Sequence, residues 1–155
     1  MKNENRQVIH RRVAVRRSRV HGRGVFALRA LEAGERIFEY KGETIEWTAA
    51  IRQHESTGRL GHTYFFGLSD GRVIDGGHQG NSARWLNHSC NANCEALEIG
   101  DRVFIYASTA IAPGDELFLD YQLAVDDTTD DLTRLSYVCR CGVSGCRGTM
   151  LAVGS

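Results

Sequence analysis

Apolar residues recur along this chain in short runs, and most runs alternate with polar positions as half-buried strands do. Turn-forming residues, mainly glycine and aspartate, separate the runs. The predicted strands are Arg12–Arg16, Arg36–Tyr40, Tyr64–Leu68, Arg72–Asp75, Glu95–Ile99, Val103–Ala107 and Glu116–Tyr121. Turn residues at 69–71 and at 100–101 each join two neighbouring runs, which predicts two β-hairpins.

One longer segment has helical periodicity instead. Trp47, Ala50, Ile51 and His54 follow i, i+3, i+4, i+7 spacing, which predicts a short helix that ends before Gly58. A single turn of helix is expected just ahead of residue 87. The pattern therefore predicts a mainly β chain with few short helices.

A glycine pattern after the first strand resembles a dinucleotide-binding loop. Gly22, Gly24 and Ala27 have the spacing of that motif, which has meaning only when a helix and a parallel strand follow. Residues 28–34 allow two helical turns at most, and the next strand begins at residue 36. A βαβ crossover needs a dozen or more residues, so we reject the dinucleotide interpretation.

The composition is that of an ordinary globular domain. The chain has 155 residues, 17 glycines, one proline and a formal net charge of zero, which predicts one domain and no global attraction to nucleic acid or membranes. Residues 1–12 are expected to be a flexible lead-in. Arg11, Arg12, Arg16, Arg17 and Arg19 could bind nucleic acid, but no aromatic residues interleave with them, so we favour a solvated face.

Targeting and cysteine usage favour an intracellular protein. The N-terminus has no apolar region of a secretory signal, and no apolar run approaches the length of a membrane helix. Five cysteines, an odd number, favour a metal site over a disulfide framework. The expected compartments are cytoplasm, nucleoid or nucleus, with delivery to a host cell if the source is bacterial.

Three cysteines are concentrated in the tail, at positions 139, 141 and 146. Structural zinc takes four ligands in a tetrahedron, and four thiolates are a common set. The fourth ligand would come from Cys90 or Cys94, which predicts that the tail folds back on the central segment. The alternative is a set of reduced thiols without metal. His88 and His78 could also bind an ion.

The central segment Arg84–Cys94 mixes polar turn formers with anchors that prefer burial. It holds three asparagines, a histidine and a serine together with Trp85, Leu86 and two thiols. A plain surface turn has little use for the anchors. The segment therefore predicts a packed binding loop.

Read together, these motifs resemble the SET-domain family of protein-lysine methyltransferases with a post-SET zinc tail. The resemblance rests on motifs in the family's order along most of the chain. They are residues 21–27 (His-Gly-Arg-Gly-Val-Phe-Ala), 39–43 (Glu-Tyr-Lys-Gly-Glu), 64–66 (Tyr-Phe-Phe), 81–90 with Asn-His-Ser-Cys at its end, 114–121 ending in Asp-Tyr, and the cysteine tail.

The resemblance implies a SET fold of small curved sheets, with a pseudoknot in which the segment near Tyr121 passes through the Asn87–His88 loop. It implies a SET domain at 13–122, an acidic connecting loop at 123–138 and a post-SET zinc tail at 139–151. The implied cofactor is S-adenosylmethionine, bound by His21, Gly22, Arg23, Gly24, Tyr64, Arg84, Asn87 and His88. The implied zinc ligands are Cys90, Cys139, Cys141 and Cys146, which leaves Cys94 as a buried structural thiol.

The implied reaction suits the aromatic residues of these motifs. Methyl transfer needs a neutral lysine amine, and an apolar channel disfavours the ammonium form while aromatic faces tolerate a cation. The expected channel is Tyr40, Phe66, Leu119 and Tyr121. Tyr121 and Tyr40 are the expected catalytic residues. Leu119 stands where many relatives have Phe or Tyr, so the number of methyl groups added stays open.

The implied partner is a basic, lysine-containing protein segment such as a histone-like tail. Asp126, Asp127, Asp130 and Asp131 could attract it, although a solvated acidic loop is an equal alternative. No membrane partner and no direct nucleic-acid partner are expected, and the oligomeric state is open. The rival functions are a catalytically silent SET fold that serves as a binding module, and a zinc-containing nucleic-acid binder.

Overall fold

The computed structural model describes residues 11–50, 52, 64–121, 141, 143, 144 and 146. The lead-in at 1–10, most of the segment between the predicted helix and Tyr64, the acidic connecting loop and most of the tail lie outside the described residues. Within the described part, no helix is long and apolar enough to cross a membrane.

Strands dominate the described residues. They are β1 (Val13–Arg17), β2 (Arg23–Ala27), β3 (Arg36–Glu39), β4 (Glu43–Ile45), β5 (Phe65–Gly67), β6 (Val73–Asp75), β7 (Asn87–His88), β8 (Cys94–Ile99), β9 (Arg102–Ala107) and β10 (Glu116–Leu119). A 3₁₀ helix spans Ser82–Trp85, and residues 47–50 and 52 are α-helical.

Three small sheets form the domain. The first has the order β1-β2-β10-β7, the second β3-β9-β8 and the third β4-β6-β5. All pairings are antiparallel except the one between β10 and β7, in which Phe118 lies opposite Asn87 and Leu119 opposite His88. This parallel junction brings together parts of the chain about thirty residues apart.

The core lies between the sheets and follows the period of two along the strands. In β9, Val103, Ile105 and Ala107 are fully buried, while the residues between them are partly exposed. Val25 of β2 and Leu117 of β10 are cross-strand partners and are equally buried. Each aliphatic side chain of this size contributes about 1.5–3 kcal/mol when it leaves water, so these central strands anchor the site described below.

Most predicted elements are confirmed. β5 pairs with β6 and β8 with β9, as the two predicted hairpins require. The helix begins at residue 47 as predicted, and its predicted end lies outside the described residues. The rejection of a dinucleotide fold is also confirmed, because β2 has antiparallel neighbours on both sides. β2, β4 and β7 were not predicted as strands. β4 and β7 have too few residues to show alternation, and residues 22–27 were interpreted only as a glycine pattern.

The segment after β10 meets the loop that contains β7. Ser89 donates its N–H to the carbonyl of Leu119 at 3.0 Å, and the N–H of Tyr121 reaches Nδ1 of His88 at 3.0 Å. This contact is the one that the family resemblance implies. The passage of the chain through the loop stays a prediction.

Candidate functional site

Asn87 ties the glycine loop of residues 21–24 to the parallel junction. Its Nδ2 lies 3.0 Å from the carbonyl oxygens of His21 and of Arg23, and the side chain is almost fully buried. A side-chain amide that satisfies two loop carbonyls fixes the loop's path. The loop's shape therefore depends on a residue more than sixty positions away.

His88 and Tyr121 are held against each other at the same junction. His88 Nδ1 accepts the N–H of Tyr121, which places the ring proton on Nε2. The Tyr121 hydroxyl donates to the carbonyl of Leu86, and its ring stands edge-on to His88 at 5.3 Å between centroids. Burial raises the pKa of Tyr121, and Glu116 and Tyr64 raise it further. Tyr121 is therefore a neutral phenol. Its proton is used in the bond to the Leu86 carbonyl, and its oxygen can still accept a hydrogen bond.

Tyr40 is the second buried phenol. Its hydroxyl donates to the carbonyl of Tyr64 at 2.5 Å, and its ring packs on Phe66 at 5.4 Å between centroids. Burial raises its pKa, followed by the influence of Tyr121 and Asp75. Tyr40 is therefore also a neutral phenol, and its proton is used in the bond to Tyr64.

Tyr64, Arg84 and Trp85 form an aromatic and cationic cluster. The Tyr64 and Trp85 rings meet at 5.5 Å in a T-shaped arrangement, and the guanidinium carbons of Arg84 and Arg23 lie 4.8 Å and 5.7 Å from the centre of the Trp85 ring. Arg84 Nε is buried and has no hydrogen-bond partner among the described residues. A buried donor of a charged group without a partner is costly, so this site suits an acceptor from a ligand.

Glu116 connects the first strands to the junction. Its carboxylate accepts the Ser18 hydroxyl at 2.7 Å and the Asn87 amide at 3.0 Å. Asn93 holds the same strand from the other side, because its side chain donates to the carbonyl of Glu116 and accepts the N–H of Phe118.

Sequence reasoning did not single out Glu116, Ser18 or Trp85 as site residues. Glu116 lies inside the motif at 114–121, but Ser18 is 98 positions away from it, so no local pattern shows that the two side chains meet. For Trp85 a signal was available, since an indole within a polar segment was already read as a buried anchor.

Three of the four predicted zinc ligands come together. The sulfurs of Cys90, Cys141 and Cys146 all lie within 4.8 Å of one another. The Cys90–Cys146 sulfur distance is 3.9 Å, too long for a disulfide. It is close to the ~3.8 Å edge of a tetrahedron with zinc–sulfur bonds of ~2.3 Å. Cys139 lies outside the described residues.

Cys94 is separate from this cluster in its chemistry. It is buried, and burial raises the pKa of its thiol to about 12. A thiol with that pKa stays protonated and packs as a small apolar group. This agrees with the structural role that the resemblance implies for it.

The remaining predicted residues lie as follows. Leu119 is buried on β10, beside the junction, and Phe66 is half-buried on β5. Gly22 has a φ of +46°, which favours glycine. His78, weighed as an alternative ligand, instead donates from Nδ1 to Asp75 at 2.7 Å. The acidic run at 126–131 lies outside the described residues.

The fold and this site define a small β domain that can hold a ligand between a glycine loop, an Asn-His pair and an aromatic cluster. The sequence model of the SET-domain family matches residues 22–122 of this chain. Curated relatives include the histone-lysine N-methyltransferase set-2 of Caenorhabditis elegans, 37% identical over 138 residues, and the histone-lysine N-methyltransferase 2B of Homo sapiens, 35% identical over 140 residues. The chain belongs to the SET-domain family.

The matched relatives are much longer than this chain. The alignments cover 85% and 87% of this chain but only 9% and 5% of the two relatives. Among solved structures, that of ctPRC2 in an autoinhibited conformation bound to S-adenosylmethionine has a TM-score of 0.60 and 28% identity. That match covers 70% of this chain and 15% of the other.

Proposed function

We propose that this domain transfers methyl groups from S-adenosylmethionine to a lysine amine of a protein. The observation that carries the proposal is the junction around Tyr121. There the Asn87 amide closes the glycine loop, His88 holds the backbone of Tyr121, and the Tyr121 hydroxyl is directed to the Leu86 carbonyl. The relatives are named as enzymes of this class, and one structural neighbour binds that cofactor.

The residues present suit the cofactor. Arg84 offers a buried, unused Nε to a carboxylate, and the rings of Tyr64 and Trp85 offer apolar faces to an adenine. His21, Gly22, Arg23 and Gly24 would contribute backbone groups, with Asn87 and His88 behind them. When bound, the cofactor supplies an electrophilic methyl group on a sulfonium.

The chain's own contribution to the reaction is to orient the amine and to keep it neutral. Tyr40, Phe66, Leu119 and Tyr121 would surround the lysine side chain and exclude water from it, which lowers the pKa of its ammonium. The lone pairs of the Tyr121 oxygen can accept an N–H of the amine or a weak C–H bond from the methyl group. Tyr40 would form the side of the lysine channel opposite Tyr121. Alignment of nucleophile and methyl group accounts for most of the rate gain.

One zinc ion, bound by Cys90, Cys139, Cys141 and Cys146, would hold the tail against the central loop. The ion is structural in this proposal and takes no part in methyl transfer. Nε2 of His88 lies 3.4 Å from the sulfur of Cys90, so the same histidine contacts both the Tyr121 backbone and a proposed zinc ligand. The metal would thereby stabilise the catalytic junction.

The proposed substrate is a lysine in a basic, histone-like segment, as the names of the relatives suggest. Such a substrate places the enzyme inside the cell, on chromatin or its bacterial counterpart; delivery to a host cell stays a prediction. Neither a membrane partner nor direct contact with nucleic acid is part of the proposal.

The proposal is tested by transfer of radiolabelled methyl groups to core histones and to a cell lysate. Tyr121→Phe removes one hydroxyl at the reacting centre and is expected to lower kcat by about 10²-fold, the scale of one lost positioning bond. Tyr106→Phe is the matched control, since that hydroxyl bonds Arg36 on an outer face. Labelling that both variants retain would contradict the role of Tyr121. A folded, zinc-loaded protein that neither labels any substrate nor binds cofactor would favour the silent binding module.

A further inference from the structure

We propose that Glu116 is a positioning residue that holds the loop of residues 18–24 in its cofactor-binding shape. The inference rests on the proposed function, because that loop contains the expected cofactor contacts. Glu116 would touch neither cofactor nor substrate. It would act through Ser18 and Asn87, two side chains that connect the loop to β10 and β7.

The carboxylate of Glu116 is used as an acceptor on both oxygens. Ser18 donates its hydroxyl to Oε1 at 2.7 Å, with Oε2 at 3.0 Å, and Asn87 Nδ2 lies 3.0 Å from Oε2. Ser18 Oγ in turn accepts the N–H of Val20 at 3.0 Å and that of His21 at 3.4 Å. The chain of bonds runs from β10 to the backbone at the tip of the loop.

Only a carboxylate satisfies this arrangement. A glutamine has one acceptor oxygen and one NH₂ group. In one orientation its NH₂ would face the NH₂ of Asn87. In the other it would face the Ser18 oxygen, whose two lone pairs are already occupied by Val20 and His21. Either orientation brings two donors together, and a lost partner for a half-buried polar group is costly.

Gly24 shows how closely the carboxylate covers the loop. A Cβ on Gly24 would lie 2.4 Å from Oε2 and 2.8 Å from Cδ of Glu116. A side chain at Gly24 would therefore displace the Glu116 carboxylate. The family motif offers another explanation, in which Gly24 lets the cofactor approach the backbone closely. The two explanations predict different cofactor binding when Gly24 and Glu116 are both changed.

The first experiment compares Glu116→Gln with Asp115→Asn in the full zinc-loaded chain. Asp115 is the adjacent carboxylate, and among the described residues its side chain accepts the N–H of Ala112, within its own turn. Binding of S-adenosylhomocysteine is measured by calorimetry and amide exchange of residues 18–24 by mass spectrometry. Glu116→Gln is expected to weaken binding by about tenfold or more, the scale of one unpaired polar group, and to speed exchange in the loop but not in β9. Asp115→Asn should change neither.

In steady-state assays Glu116→Gln should raise the KM for S-adenosylmethionine while kcat at saturation stays within about threefold, since the loop's shape affects binding and not the amine. Ser18→Ala should reproduce the effect on binding and exchange, and serves as the second variant if Glu116→Gln does not fold. Cofactor binding and loop exchange that equal those of the unchanged protein in both variants would overturn the proposal. If the unchanged protein binds no cofactor, the proposed function fails. Amide exchange of residues 18–24 still tests the role of Glu116 in that case, because Glu116→Gln should exchange faster than the unchanged protein.

A double-mutant cycle separates the two explanations for Gly24. Gly24→Ala alone should weaken binding because it displaces the carboxylate. In a Glu116→Ala background the same change should have an effect at least about fivefold smaller, since both contacts under 3 Å are then gone and the Ser18 Cβ, at 3.2 Å, is the nearest remaining contact of the added Cβ. Equal effects of Gly24→Ala in both backgrounds would assign the glycine to the cofactor and contradict the proposed contact.

Discussion

Asn87 has the most demanding set of contacts of any single side chain described in the site. Its Nδ2 serves three acceptors at 3.0 Å, which are the carbonyls of His21 and Arg23 and the carboxylate of Glu116. An amide is the one short side chain that can donate in two directions without bearing a charge. We therefore expect that a residue of similar size but different chemistry cannot replace Asn87.

Asn87→Asp is therefore expected to be strongly destabilising. The new carboxylate would face two carbonyl oxygens and the carboxylate of Glu116 in a nearly buried position, at a cost of about 3 kcal/mol or more. Urea unfolding of the zinc-loaded protein measures the loss. Asn91→Asp, which makes the same chemical change at an exposed position, is the control. A difference below about 1 kcal/mol between the two variants would contradict the proposed clamp.

At the scale of elements, the turn between β6 and the 3₁₀ helix packs against Tyr40. Asp75 is buried and accepts the N–H of Gly77 and Nδ1 of His78, while Gly76 donates to the same Tyr64 carbonyl that Tyr40 contacts. A Cβ on Gly76 would lie 2.9 Å from the Tyr40 hydroxyl. The turn can pack this closely only because it has no side chain at that position.

This turn should be sensitive to pH through His78. The hydrogen bond to Asp75 raises the pKa of His78 above its ordinary value of 6.5, with the charges of Asp75 and Glu43 acting in the same direction. A raised folded-state pKa means that the added stability is fully present below the unfolded value and is lost as pH rises through the folded value. The His78–Asp75 interaction should therefore stabilise the folded protein more at about pH 6 than at about pH 8.

An NMR titration of the His78 ring measures this directly, and its midpoint should lie above 6.5. The unfolding midpoint of the unchanged protein should fall between about pH 6 and about pH 8 by more than that of His78→Gln, which cannot titrate. A His78 midpoint at or below the ordinary value would remove the predicted effect.

At the scale of the whole molecule, the candidate site depends on segments drawn from most of the described chain. The glycine loop near residue 21, the phenols at 40 and 121, the junction at 87 and the thiols at 141 and 146 all belong to it. A metal that joins the tail to Cys90 would add a fixed connection between the tail and the central loop.

Removal of zinc by a chelator should release the tail and weaken cofactor binding while the central strands stay folded. The apparent binding energy of a structural zinc, about 10–16 kcal/mol, is coupled to the folding of its ligand segment. Metal analysis should find one zinc per chain, lost in Cys141→Ser and retained in Cys94→Ala, since Cys94 is a buried protonated thiol. Full zinc content in Cys141→Ser, or its loss in Cys94→Ala, would contradict the proposed ligand set.

Charge should govern the capture of substrate. Residues 101–131 hold eight acidic residues against one arginine. Changing Asp126, Asp127, Asp130 and Asp131 to Asn should raise the KM for a basic peptide several-fold at low salt and less at high salt, since exposed charges are screened. An unchanged KM for the peptide would leave the run as a solvated loop.

Much of this molecule follows from local sequence. The alternation in residues 103–107 and the turns at 69–71 and 100–101 predict the hairpins, because periodicity and turn chemistry act within a few residues. The order of the motifs is sufficient to indicate the SET family, and with it the positions expected to bind cofactor and zinc. Neither inference requires knowledge of which distant segments meet.

Only the tertiary structure decided how those segments meet. The parallel pairing of β10 with β7 places Tyr121 against His88, and Glu116 reaches Ser18 across 98 positions. The burial of Arg84 Nε depends on packing around Trp85 in the same way. Hydrogen bonds and burial between remote residues leave no periodic pattern in the sequence. Each residue can adopt its local backbone conformation whether or not its remote partner is present. The sequence by itself therefore determined most of the strands and the family, and the three-dimensional pairing determined which polar groups became the site.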